Sequence, residues 1–197
     1  MGRLVVTEYI SVDGVVEAPS GTESFERVGW TDDFSRGPDG DAFKFDETMG
    51  SDALLLGRVT YEAFAEVWPH FEGEFADKFN SMPKYVVSST LDDPEWNNTT
   101  VLRGDVVEEV ARLKQAYDRD IVVHGSPQLV QTLFEHDLVD ELRLMIYPVV
   151  VGAGKRLFAD TSGTKNLRLV ETRTFEDGVH VLVYSSSAST STSGAAA

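Results

Sequence analysis

The 197-residue sequence has no cysteine, which removes disulfides and thiolate metal ligands from consideration and suits a reducing compartment. It also lacks any apolar run long enough for a membrane-spanning helix, so no membrane partner is expected. Basic residues are scarce, 17 against 33 acidic ones, and the formal charge is −16. Nucleic acid and anionic membrane, whose phosphates such a chain repels, are therefore excluded as partners. The four histidines, His70, His124, His136 and His180, show no metal-ligand spacing, and no metal is expected. The opening MGRLVVTEYISVDG has strand character broken by Thr, Glu and Ser, unlike a secretory signal, so a cytoplasmic protein is the expectation.

What the sequence does have is alternation of short apolar runs with helical periodicity. Residues 3–10 read as a first strand, closed by Asp13-Gly14. Residues 15–40, rich in Gly, Pro, Asp and Glu, read as a long loop anchored by Phe25, Trp30 and Phe34. A helix over 41–49 follows, with Ala42, Phe45 and Met49 as its apolar stripe. Ala53 to Leu56 is a fully apolar strand, and Gly57-Arg58 leads into a helix bearing Tyr61, Phe64 and Trp68. Further strands are expected at 84–87, 99–102, 121–123 and 141–147, with helices after Asp105 and after Gly125-Ser126-Pro127. Leu167 to Phe175 and Val179 to Tyr184 close the domain as a hairpin. The domain is placed at 1–185, and residues 186–197 form a low-complexity tail expected to be disordered.

This pattern predicts an α/β fold of three layers: a mostly parallel central sheet, helices on both faces, and an antiparallel C-terminal hairpin. Ligands of such sheets bind beyond the carboxyl ends of the strands. Three of those ends carry Gly57-Arg58, Ser88-Ser89-Thr90 and Gly125-Ser126. Ser126 is suited to cap the following helix and Pro127 to its first position, while Gly125 lets backbone approach a ligand. A cation, hydroxyls and a helix start are what a phosphate-bearing ligand needs. Arg58, Lys84, Lys155 and Arg156 are the candidate cations.

Four segments in order, SVDG, LLLGRVTYEAF, VVSST and HGSPQLVQTLF, resemble the dihydrofolate reductase-like superfamily, nearest to the reductase domain of the bacterial bifunctional riboflavin deaminase-reductase. The resemblance covers roughly residues 3–185. It implies an NAD(P)H-dependent reductase acting on a small pteridine-, pyrimidine- or carbonyl-like molecule. It places Gly57, Arg58 and Thr60 on the phosphates of NADPH, Ser88, Ser89 and Thr90 by the adenosine ribose, and Gly125, Ser126, Pro127, Gln128 and Leu129 around the pyrophosphate. Gln128 stands where dihydrofolate reductases often carry an arginine, so NADH is not excluded. No zinc-deaminase signature is present, so the chain resembles a stand-alone reductase domain.

By the same resemblance, Asp41 falls where the superfamily carries a buried carboxylate and is the candidate acid, though at an expected helix start it serves equally as a cap. Asp13 is a second candidate catalytic group, or simply a turn residue. Trp68 and Tyr147 are candidate walls of the substrate pocket, or core aromatics. A non-catalytic dinucleotide-binding module and an interaction protein using the 15–40 loop are the competing readings. The exposed edge of the closing hairpin makes a homodimer the expected assembly.

Overall fold

The computed structural model describes residues 1–21 and 24–186; the tail expected to be disordered lies, from residue 187 on, outside the described residues. Eight strands form one sheet: β1 (Arg3–Ser11), β2 (Ser51–Gly57), β3 (Lys84–Val87), β4 (Thr99–Leu102), β5 (Asp120–His124), β6 (Glu141–Tyr147), β7 (Leu167–Thr174) and β8 (His180–Ser186). Their order is β4-β3-β2-β5-β1-β6-β8-β7. The first six are parallel, and β8 and β7 pair antiparallel at one edge, as the alternating pattern predicts. The helices are α1 (Gly37–Met49), α2 (Arg58–Val67), α3 (Glu74–Ser81), α4 (Val106–Ala116) and α5 (Pro127–Glu135). Among the described residues no helix is long and apolar enough to cross a membrane.

Successive side chains of a strand point to opposite faces, and the two main cores divide accordingly. Leu4, Val6, Ala53, Leu55, Ile121 and Val123 pack with Val110 and Leu113 of α4 and Val130 and Leu133 of α5. Val5, Leu54, Leu56 and Val122 pack with Tyr61 of α2 and Phe79 of α3. A third cluster, centred on Tyr147 and β8, takes the aromatics of the 15–40 loop: Trp30 and Phe34 meet the Tyr147 ring edge-on at 5.9 and 6.0 Å. The loop is therefore anchored as its aromatic spacing predicts.

Several elements differ from the sequence reading. α1 starts at Gly37, with Pro38 in its first turn, four residues before the expected start. Its buried face is not the apolar stripe of Ala42, Phe45 and Met49 but Gly40, Lys44, Glu47 and Thr48. Lys44 and Glu47 are tolerated inside because they pair with each other and Lys44 also donates to Thr7 Oγ1 at 3.0 Å. α3 has no counterpart among the expected elements; Gly73, at φ +106, opens it, and Phe75 and Phe79 pin it to Trp68. Lys84 is no cleft cation. It lies fully buried at the start of β3, donating to the carbonyls of Asn80, Met82 and Asn97 at 3.0, 2.9 and 3.1 Å.

Candidate active site

A cleft of about 1110 Å³ opens over the carboxyl ends of β1, β2, β3, β4 and β5. Its lining includes Gly57, Arg58 and Thr60; Ser88, Ser89 and Thr90; and Gly125, Ser126, Pro127, Gln128 and Leu129. The three segments singled out in the sequence thus share one cavity. Loop residues 16–20, 31, 32 and 34–36 also line it.

The β2–α2 and β5–α5 turns are tied together. Ser126 N–H donates to Thr60 Oγ1 at 2.9 Å, and Ser126 Oγ accepts from Gly57 N–H at 2.9 Å while donating to the His124 carbonyl at 3.0 Å. Ser126 sits in the left-handed region at φ +57 and its side chain makes no helix-capping bond, contrary to the expected cap, because its hydroxyl is spent on this cross-tie. Gly125 is at φ +52, and a Cβ there would meet Thr60 Oγ1 at 3.0 Å. Pro127 has no N–H, and the N–H groups of Gln128 and Leu129 in the first turn of α5 carry no partner among the described residues. They are the free donors a phosphate group would take.

Arg58, at the start of α2, is about half exposed and paired with Glu62 at 2.8 Å. Ser88 Oγ accepts from the N–H groups of Thr90 and Leu91 at 3.1 and 3.0 Å, which shapes the loop after β3. Arg103, not singled out in the sequence, lines this end of the cleft and donates to the Ser89 and Leu91 carbonyls at 3.2 and 2.6 Å. The cleft thus brings together hydroxyls, two arginines, a glycine turn and free N–H groups, the donor set that a phosphate-bearing ligand would need.

The other half of the cavity is ringed. Trp68 stacks on Phe79 with centroids 4.5 Å apart, and Phe64 and His124 close the same corner. Tyr147 also lines the cavity, 2% exposed. Burial pushes its hydroxyl up to about 12, with the neighbouring Tyr9 adding to the rise.

The two acids named from the sequence stand apart from this floor. Asp41 lines the cleft, but its side chain is 67% exposed and pairs with Arg36 at 2.6 Å. With α1 beginning at Gly37, it is neither buried nor a cap. Asp13 is not among the lining residues. It accepts from Ser11 Oγ at 2.7 Å and from the N–H groups of Val151 and Gly152 at 3.0 and 2.9 Å. The Ser11 bond and those backbone bonds hold it down at about 2 despite some desolvation, as expected of a clamp between the β1 turn and the 149–157 loop. Arg156 joins Asp13 at 3.7 Å, and Lys155 lines the cleft paired with Glu17.

The titratable groups on the floor are others. Glu8 of β1 lines the cleft, 3% exposed, and burial holds its carboxyl well above the usual range, against the pull of Lys44 and a backbone bond from Gly125. Its Oε1 has no hydrogen-bond partner among the described residues. Lys44 also lines the cleft. Glu47 behind it is lowered despite its burial, because Lys44 and Arg143 stabilise its charge. His124 is pushed down to about 3 by desolvation, with Lys44 adding, and is neutral. The available sequence signal was a lone acid within the otherwise strand-like RLVVTEYIS.

The fold and the cleft define a three-layer α/β protein of the dihydrofolate reductase-like kind, with its site at the strand ends. The chain belongs to the RibD C-terminal domain family, which matches residues 3–181. It is 33% identical over 188 residues to the uncharacterized protein YyaP of Bacillus subtilis (strain 168), covering 92% of this chain and 94% of that one. To the uncharacterized protein YwjB of the same organism it is 29% identical over 179 residues, covering 91% and 95%. Two solved structures share the fold. One, from Shewanella sp. PV-4, is described as a riboflavin biosynthesis protein, with TM-score 0.76 and 17% identity, covering 93% of this chain and 98% of that one. The other, a pyrimidine reductase-like protein from Corynebacterium diphtheriae, has TM-score 0.63 and 13% identity, covering 93% and 91%. Family membership supports an oxidoreductase-type enzyme.

Proposed function

We propose that this protein is an NAD(P)H-dependent reductase of a small, flat, pteridine-, pyrimidine- or carbonyl-like substrate. The observation carrying this reading is the sharing of one cleft by Gly57–Thr60, Ser88–Thr90 and Gly125–Leu129, with a ringed compartment beside them. At about 1110 Å³ the cleft exceeds the ~300–1,000 Å³ usual for one small ligand, which leaves room for cofactor and substrate together. When bound, the reduced nicotinamide supplies a hydride. The chain's own residues bind and orient: Arg58 and Arg103 neutralise phosphate charge, the N–H groups of Gln128 and Leu129 hold phosphate oxygens, and Trp68, Phe79 and Tyr147 wall the substrate.

Loss of NADPH absorbance against a panel of a pterin, a ribosylaminopyrimidine and a quinone tests the reading. Turnover of one acceptor supports it; tight binding without turnover would instead indicate a non-catalytic dinucleotide module. Cofactor preference rests on Gln128, which is exposed at the first turn of α5. Gln128→Arg adds a cation there, and a charge-assisted bond of roughly 1.5–3 kcal/mol to a 2′-phosphate should raise the NADPH-over-NADH affinity ratio about tenfold or more. Titration of both cofactors checks this, and an unchanged ratio would move the 2′-phosphate elsewhere.

The protein works in the cytoplasm on this reading, consistent with a cysteine-free sequence. A second copy covering the β7 edge, where Leu169 and Val170 are 51% and 56% exposed, would make a homodimer. Sedimentation of the purified protein distinguishes dimer from monomer.

A further inference from the structure

Two buried glutamates with opposite surroundings stand near the cleft floor, Glu8 lining it and Glu47 behind Lys44, and the bonds they make distinguish them. Glu47 is held as a carboxylate by Lys44, with Arg143 at 3.4 Å on its other oxygen. Glu8 has no such pair. It stands on the central strand one residue beyond the Thr7–His124 register pair, where β5 gives way to the Gly125 turn. Alternation along β1 puts it on the α5 side of the sheet, with Thr7 and Lys44 on the other side of the same strand end. Both sides of β1 open into the same cleft.

We propose that Glu8 is the catalytic acid of this cleft, its neutral carboxyl giving the Oε1 proton to the nitrogen or oxygen of a C=N or C=O bond in a flat cyclic substrate. This rests on the reductase reading above. The carbon of that bond takes up the hydride with its electron pair, drawn from the reduced nicotinamide, which ends oxidised. The other atom of the bond takes the proton of Glu8, and the carboxylate left behind recovers one from water as product leaves.

Four features carry the assignment. Glu8 is 3% exposed, and an unpaired carboxylate at that depth neutralises rather than ionises. The charged groups acting on it are Lys44 and Glu47 of α1; Arg143 of β6 acts on Glu47 behind them, and the His124 ring of β5 beside them is neutral. Burial outweighs Lys44, so the proton stays. With the Gly125 backbone bonded to the carboxyl and Oε1 partnerless, a ligand in the cleft is the partner that completes the group. Two of the other floor residues are committed: neutral His124 holds no acidic proton, and Lys44 is bonded to Thr7 and Glu47. Two carboxyls whose surroundings push them apart mark the acid of a site, and here the protonated one is Glu8.

The test compares wild type, Glu8→Gln and Glu8→Asp. Infrared difference spectra should show, near neutral pH, the C=O band of a protonated carboxylic acid in wild type that vanishes in Glu8→Gln. NADPH titration followed by tryptophan fluorescence should give affinities within about threefold of one another for a group that acts in chemistry rather than in binding. Single-turnover oxidation of bound NADPH by 2-methyl-1,4-naphthoquinone should be about a hundredfold slower in Glu8→Gln. The wild-type rate should fall as pH rises through the titration of the acid, Glu8→Gln should be flat, and Glu8→Asp should keep the pH dependence at a reduced rate. Absence of the acid band, a Glu8→Gln rate equal to wild type, or no quinone reduction by NADPH-loaded wild type overturns the assignment. If none of the three proteins binds NADPH, it is the reductase reading that fails, whatever the infrared band shows.

Discussion

Replacing Gly125 with valine should weaken NADPH binding about a hundredfold, close to 2.7 kcal/mol. The residue sits at φ +52, where a β-branched side chain costs roughly 1–2 kcal/mol. The added Cβ would also meet Thr60 Oγ1 at 3.0 Å and Cγ2 at 3.2 Å. Thr60 cannot yield without loosening the bond it accepts from Ser126 N–H, and that bond fixes the turn from which the free N–H groups of Gln128 and Leu129 follow. Gly57→Ala is the control: it lies at φ −81 and its Cβ would find Ser126 at an ordinary 3.5 Å, so affinity should change little. Calorimetric titration of the two variants reads the contrast. Equal affinities would mean that no ligand approaches backbone at Gly125.

The second large effect is on acid stability. His124 is pushed down to about 3 by desolvation, with Lys44 adding to the fall and Glu47 opposing it. In the unfolded chain it titrates near 6.5. Between those values the unfolded state binds a proton that the folded state refuses, so the stability His124 contributes is present above about 6.5 and is lost as pH falls toward about 3. The ring is only partly covered where it faces the cleft, which discounts the full slope. His124→Asn removes the titration. Urea unfolding should show the wild-type advantage over this variant shrinking by about 2 kcal/mol from about pH 7 to about pH 4.5. Asp52 and Asp13, whose carboxyls are lowered by partners other than His124, contribute stability that is lost over acid pH in both proteins and cancels in the difference. An unchanged difference would mean that His124 takes up its proton freely in the fold.

Legibility in the sequence followed chemistry that repeats. The β2–α2 and β5–α5 units announce themselves through continuous β-branched or leucine runs, a glycine, and a change to helical period, and the structure places both turns in one cleft, joined through Ser126. α1 was misjudged because periodicity counts apolar residues, whereas the helix buries Lys44, Glu47 and Thr48. α3 was hidden by its acidic residues, since its two buried residues, Ala76 and Phe79, are too few to set a pattern. Glu8 and Arg103 were missed for a different reason: each acquires its meaning from groups more than ten residues away in sequence, Glu8 from Lys44 and Gly125, Arg103 from Ser89 and Leu91. Asp13 and Asp41 were singled out from position along the chain, and only three-dimensional contacts show one clamping a loop and the other paired at the rim.

On the function proposed above, three separate strand ends hold one nicotinamide dinucleotide. Hydrogen–deuterium exchange with and without saturating NADPH tests it most directly. Peptides spanning 57–60, 88–90 and 125–129 should gain protection together, with the β7–β8 hairpin unaffected. Protection confined to one segment, or appearing only outside the cleft, would contradict the account.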